Sequence, residues 1–273
     1  MRQPNRRQRA LLLLLLTLAV LLAVTMAGAL LTQRAMETDF SRMNRSPSLS
    51  FLFGTDWMGR DMLARTLAGL SLSIRIGVLT ALVSAVIALL CGVAAALSRR
   101  ADAVLSWCID LFLGIPHILL VMLISLAFGR GFLGVVAGVS LSHWPSLARV
   151  IRSEGLSLRH APYLLSAEKL GVPRRQIVRR HLLPHLLPQF LTGLILQFPH
   201  AILHEASVTF LGFGLSSEQP AIGVILSESM QYLTTGRWWL ALFPGLALVG
   251  VVLLFAALGE QVQRVLDPSS VHQ

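Results

Sequence analysis

Gln197, His200, His204 and Ser207 recur three or four residues apart, the interval that places side chains on one face of a helix. Glu205 lies beside this polar stripe. Two neutral imidazoles at i and i+4 can share a late transition-metal ion, and nickel suits imidazole, but His200 and His204 alone form an incomplete ligand set. Residue 208 is Val, so His204-Glu205 does not begin the zinc-protease motif, which needs a second histidine there. Three readings of the stripe stand side by side: hydrogen bonds between helices, the lining of a translocation pathway, and transient metal ligation by His200 and His204.

The stripe must be positioned by elements that are mostly apolar. The chain has 273 residues, of which 55% are hydrophobic and only 13% charged. A soluble globular protein carries about 25% charged residues, so lipid must cover part of this one. Apolar spans of about 20 residues cross a bilayer as helices. Six are expected, over roughly 10–31, 73–97, 104–128, 132–151, 190–213 and 239–259. The first follows Arg2, Arg6, Arg7 and Arg9 and is too long for a signal-peptide core, which favours an uncleaved helix. With the N-terminus inside, Arg99, Arg100, Arg152, Arg159, Lys169, Arg174, Arg175, Arg179, Arg180 and Arg264 are expected to place 98–103, 152–189 and the C-terminus on the cytoplasmic side. The net charge of +10 has the same origin, and no basic domain outside the spans supports nucleic-acid binding. Cys91 and Cys108 lie within apolar runs and read as small buried hydrophobes.

Between the fourth and fifth spans runs a basic amphipathic segment, Pro162 to Pro184. Pro162 suits the first turn of a helix, Gly171 can end that helix with positive φ, Pro173 can start a second, and Pro184 is expected to end it. The result would be a helical hairpin across the membrane face, fitted either to a groove on a partner or to the lipid surface. Before the second span, Gly54 and Gly59 permit tight turns, while Asp56, Arg60, Asp61 and Arg65 can pair locally and cap the outer helix ends. No Walker A motif occurs, and no segment outside the spans is long enough for a nucleotide-binding domain.

These motifs, in this order, resemble the C-type permease subunits of the dipeptide, oligopeptide and nickel ABC importers. The Gly171-centred hairpin, with Ile177, Leu183 and Pro184, resembles their docking loop, although Leu165-Ser166-Ala167 replaces the usual Glu-Ala-Ala. Gly54-Thr55-Asp56, Gly59-Arg60-Asp61 and Arg65 resemble the signature before span two. Asp110 with Pro116, Trp144 with Arg149 and Arg152, Glu205-Ala206 with Phe210-Leu211-Gly212 and Gly214, Phe243-Pro244-Gly245, and Asp267-Pro268 resemble later signatures. Thr209 replaces a usual serine, and Trp107 stands where the family often has arginine.

The resemblance implies an all-α membrane protein of six transmembrane helices with a type I (MetI-like) ABC-importer permease core. It implies an N-terminal helix and external segment over 1–72, and a permease domain over 73–273 with its cytoplasmic docking loop at 152–189. Tyr163, Ala167, Gly171, Ile177, Leu183 and Pro184 would meet the ATPase. Gln197, His200, His204, Glu205 and Ser207 would line the pathway, with His200 and His204 as transient metal contacts. The implied partners are a homologous permease subunit, two ATPase subunits, an extracytoplasmic substrate-binding protein and inner-membrane lipid. No cofactor is expected on this chain, since ATP and Mg belong to the ATPases, and it would catalyse no reaction itself. Ser142-His143-Trp144 and the His200/His204 pair tip the expected cargo towards nickel or a related metal chelate, with dipeptides or oligopeptides as the alternative. A passive metal channel would lack the docking loop, and an intramembrane enzyme would need a nucleophile or metal triad within the spans.

Overall fold

A computed structural model describes residues 6–159 and 161–266. Arg2, Asp267 and Pro268 lie outside the described residues. The helices, in chain order, are α1 (Arg6–Leu30), α2 (Thr32–Met36), α3 (Met62–Leu97), α4 (Arg99–Gly114), α5 (His117–Ala127), α6 (Phe132–Arg159), α7 (Pro162–Lys169), α8 (Arg174–Ile177), α9 (Leu183–Phe210), α10 (Ile222–Leu233) and α11 (Trp239–Leu266). No strand occurs among the described residues.

The central element is α3, packed against α1, α6 and α9. It begins at Met62 rather than near residue 73, because Asp61 caps it by accepting hydrogen bonds from Leu63 N and Ala64 N. Residues 72 and 73 therefore both lie inside α3. Small residues let its neighbours close in: a Cβ on Gly92 would come within 2.5 Å of Ile151 on α6, and one on Gly155 within 2.6 Å of Ala96. Ser98 ends α3 and caps α4 through Ala101 N.

Four stretches are long and apolar enough to cross a membrane, namely Gln8–Leu30, Met62–Leu97, Arg175–Phe210 and Trp239–Val265, and the pair α4 and α5 makes a fifth if counted as one span. The expectation of six is thus reached only in part. The third expected span is broken: α4 and α5 meet at 101°. Pro116 is the cause, since it forces Ile115 into extended backbone (φ −91°, ψ 136°) and cannot continue the helical hydrogen bonds. The fourth, α6, carries Ser140, Ser142, His143, Ser146, Arg149 and Arg152 and does not pass as an apolar span. It can carry them because α3 and α5 pack along it.

The expected stop at Pro184 is absent. From Arg174 the chain runs through a π-helical turn, Val178–Leu182, directly into α9. The wide turn, in which Leu183 N bonds to Val178 O, carries the chain past Pro184 without the amide that residue lacks. The short α10 packs against α3, α9 and α11.

Candidate functional site

The break at Pro116 sets His117 at the start of α5. His143 sits at mid-length on α6, and His204 on the last two turns of α9. These three rings meet edge to face, with centroids 4.5 Å apart for His117–His143, 4.3 Å for His117–His204 and 4.9 Å for His143–His204. They line a cavity of about 450 Å³ with Gln197, His200 and Ser146, walled by Leu147, Val150 and Leu196. Gly193 lets α9 approach α6 here, since a Cβ would come within 2.3 Å of Leu147. The Gln197 side chain is buried, and neither its Oε1 nor its Nε2 has a hydrogen-bond partner among the described residues.

The stripe expected on α9 therefore divides. Gln197, His200 and His204 line the cavity. His204 groups with His117 and His143, whereas His200 is outside that cluster and gives only its backbone carbonyl, which accepts from His204 Nδ1 at 2.7 Å. Ser207 is exposed and donates to Leu203 O at 2.7 Å. Glu205 is fully enclosed and is absent from the cavity lining. Thr209 Oγ1 donates to its Oε1 at 3.1 Å and accepts from Leu215 N at 3.3 Å, so Glu205 braces the turn that leaves α9.

At the other end of α9, the hairpin of α7 and α8 turns at Gly171 (φ +74°). Leu170 N bonds to Ser166 O at 3.0 Å and Val172 N to Ala167 O at 3.1 Å, the hydrogen bonds of a left-handed helix cap. Leu164, Ile177 and Leu182 face inward onto Ala96, Ile151 and Leu158. Ile177 is thus a support of the hairpin and not part of its outer face, because the amphipathic period turns it towards the core. Tyr163, Leu165, Lys169, Leu170, Arg175, Leu183 and Pro184 are exposed, and Ala167 is half-buried. Two ion pairs link α4 to α6, Asp110 with Arg149 at 2.6 Å and Asp102 with Arg152 at 2.5 Å.

Open space surrounds the Gly171 Cα, so Gly171→Ala brings no clash and costs only its positive φ, about 1–2 kcal/mol locally. Faster amide hydrogen exchange is expected over 162–177, with α3 and α6 unchanged. Unaltered protection of Leu170 and Val172 would show that the cap does not depend on glycine.

The segment before α3 holds a buried charge network. Asp56 Oδ2 meets Arg60 Nε and Arg65 Nη1, each at 2.7 Å, and Glu228 Oε2 on α10 accepts from Arg60 Nη2 at 3.2 Å and Arg65 Nη2 at 3.0 Å. Asp56 Oδ1 accepts from Met58 N and Arg60 N, both at 2.9 Å. Local pairing of Asp56, Arg60 and Arg65 matches the sequence expectation, whereas Asp61 pairs with Arg34 at 2.9 Å.

A family model described as the binding-protein-dependent transport system inner membrane component matches residues 84–271. The chain belongs to that family. It is a permease component of a binding-protein-dependent ABC importer, a transport component and not an enzyme. A putative peptide transport system permease protein of Brucella suis biovar 1 is 34% identical over 98% of this permease and 90% of the relative. The dipeptide transport system permease protein DppC of Bacillus subtilis is 29% identical over 97% and 83%. In fold, the permease is similar to a chain in an inward-facing crystal structure of the MetNI methionine ABC transporter, with a TM-score of 0.62 and 22% identity over 76% of this chain and 98% of that one.

Sequence reasoning about this permease missed His117 and Glu228. His117 follows a proline that ends one helix and starts the next, which is a usable signal for a side chain held at a helix start. Glu228 carried none, since its partners lie 163 and 168 residues away in sequence.

Proposed function

We propose that this permease forms half of the translocation pathway of a peptide importer in the inner membrane, paired with a homologous permease subunit. Two ATPase subunits, which use ATP and Mg, would dock on the α7–α8 hairpin, and an extracytoplasmic binding protein would deliver the cargo. In this reading the hairpin, with Arg175, Arg179 and Arg180, would lie in the cytoplasm, as would both termini if six helices cross the membrane. Closure of the ATPases would push the hairpin, whose inner face is packed on α3 and α6, and the helices would rock between two accessible states.

The observation that carries the peptide reading is Gln197. Its buried amide leaves a donor and an acceptor unpaired on a residue that lines the cavity, and a small side-chain rotation would offer them to a peptide N–H and C=O. Relatives named for peptides and dipeptides support the same cargo, in preference to the nickel chelate expected from the Ser142-His143-Trp144 run and the His200/His204 pair. The test is uptake of a labelled dipeptide by the complete importer in proteoliposomes. Gln197→Leu should lower uptake roughly tenfold, the loss of about 1–1.5 kcal/mol of hydrogen bonding, with assembly intact. Equal dipeptide uptake by parent and variant would remove Gln197 from the pathway. Nickel uptake without any dipeptide uptake would return the cargo to a metal.

A further inference from the structure

We propose that His117, His143 and His204 form a binding site for a late first-row divalent metal ion, held by three imidazole nitrogens with further coordination positions open to the cavity. The inference goes beyond the peptide reading and stands whichever cargo crosses.

The chemistry of the rings carries it. One ligand nitrogen from each histidine lies within 4.8 Å of the other two. Even at that upper limit, a cation at their centre would stand about 2.8 Å from each, only about 0.7 Å beyond a metal–imidazole bond of about 2.0–2.1 Å. Small ring rotations close that gap. The tautomers also suit ligation. His143 Nδ1 lies 2.8 Å from Val139 O, and His204 Nδ1 lies 2.7 Å from His200 O. A carbonyl only accepts, so each Nδ1 carries the hydrogen and each Nε2 keeps its lone pair. This is the outer hydrogen bond that orients metal-binding histidines elsewhere. Nε2 of His143 and Nδ1 of His117 are both buried and have no hydrogen-bond partner among the described residues. Two buried ring nitrogens without partners, converging with a third histidine, carry a desolvation cost that a metal ion would offset.

Three nitrogen donors without a carboxylate select zinc, nickel or copper over magnesium or calcium, which take oxygen ligands. Three protein ligands leave room for water or a donor group of the cargo. The ligands come from α5, α6 and α9, so a bound ion would hold these helices at one mutual separation beside the α4–α5 break.

The test is metal binding by the untagged full-length permease in nanodiscs, dialysed against Zn²⁺ and analysed for metal, with Co²⁺ as a spectroscopic probe. About one equivalent per chain is expected, with Co²⁺ absorption of imidazole-ligated type and no competition from Mg²⁺. His143→Phe keeps a ring in place and should weaken binding by more than the roughly 10–100-fold that loss of an outer hydrogen-bond partner costs. His200→Ala should change it less than about threefold. No retained equivalent in the parent overturns the proposal, as does equal retention when all three histidines are replaced, or equal loss in His200→Ala. If His143→Phe does not fold, X-ray absorption on the zinc-loaded parent decides. Scattering from three imidazoles supports the site, and fewer than three overturns it.

Discussion

Asp56→Ala is expected to destabilise the permease by about 3–5 kcal/mol, the cost of removing one partner from a buried ion network. Asp56 is 3% exposed and stands between two buried guanidiniums, Arg60 and Arg65. Without it, Glu228 alone would face both, and Met58 N and Arg60 N would lose their shared acceptor. Thermal unfolding in detergent should show a large fall in Tm, or the monodisperse fraction should collapse. Arg42→Ala supplies the contrast, since its pair with Asp39 is exposed and worth at most about 1 kcal/mol. Replacing Asp56 and Arg65 together with apolar residues should cost less than Asp56→Ala alone, because fewer unpaired charges stay buried. Equal effects of Asp56→Ala and Arg42→Ala would mean that water reaches the network.

The apolar runs of α1, α3 and α11 were legible because a membrane helix needs only length and hydropathy to be seen. The left-handed cap at Gly171 was legible too, since a glycine between an amphipathic turn and a proline has few other uses. What failed depended on tertiary structure. Pro116 was read inside one unbroken span over 104–128, so the 101° turn that delivers His117 to α6 and α9 went unforeseen. The π turn at Val178–Leu182 made Pro184 compatible with a continuous helix, which no local propensity reveals. His200 and His204 look equivalent at i and i+4, yet only His204 points to where the other histidines arrive. A helical period predicts which side chains share a face, not what meets that face. The same limit hid Glu228 and turned Ile177 from an expected contact into an internal support.

On the proposed docking of the ATPases at the α7–α8 hairpin, Leu170→Asp is expected to separate docking from folding. Leu170 is 82% exposed at the tip of the hairpin, flanked by the exposed Lys169 and Gly171, while Tyr163 and Leu165 extend the apolar surface. A side chain so exposed contributes little to the fold, so the variant should insert and stay monodisperse like the parent. An apolar anchor at a docking surface is worth about 2 kcal/mol or more, so binding of the ATPase subunits should fall roughly 30-fold. Cargo uptake would fall with it. Ile177→Asp gives the opposite pattern: it places a charge against Leu164 and Leu182 and should unfold the hairpin itself. Co-purification with the ATPase and hydrogen exchange over 162–182, measured on both variants, tell the two effects apart. Full ATPase binding and coupled uptake by Leu170→Asp would show that the exposed tip meets lipid or solvent, and the docking surface would then have to be sought elsewhere on the cytoplasmic face.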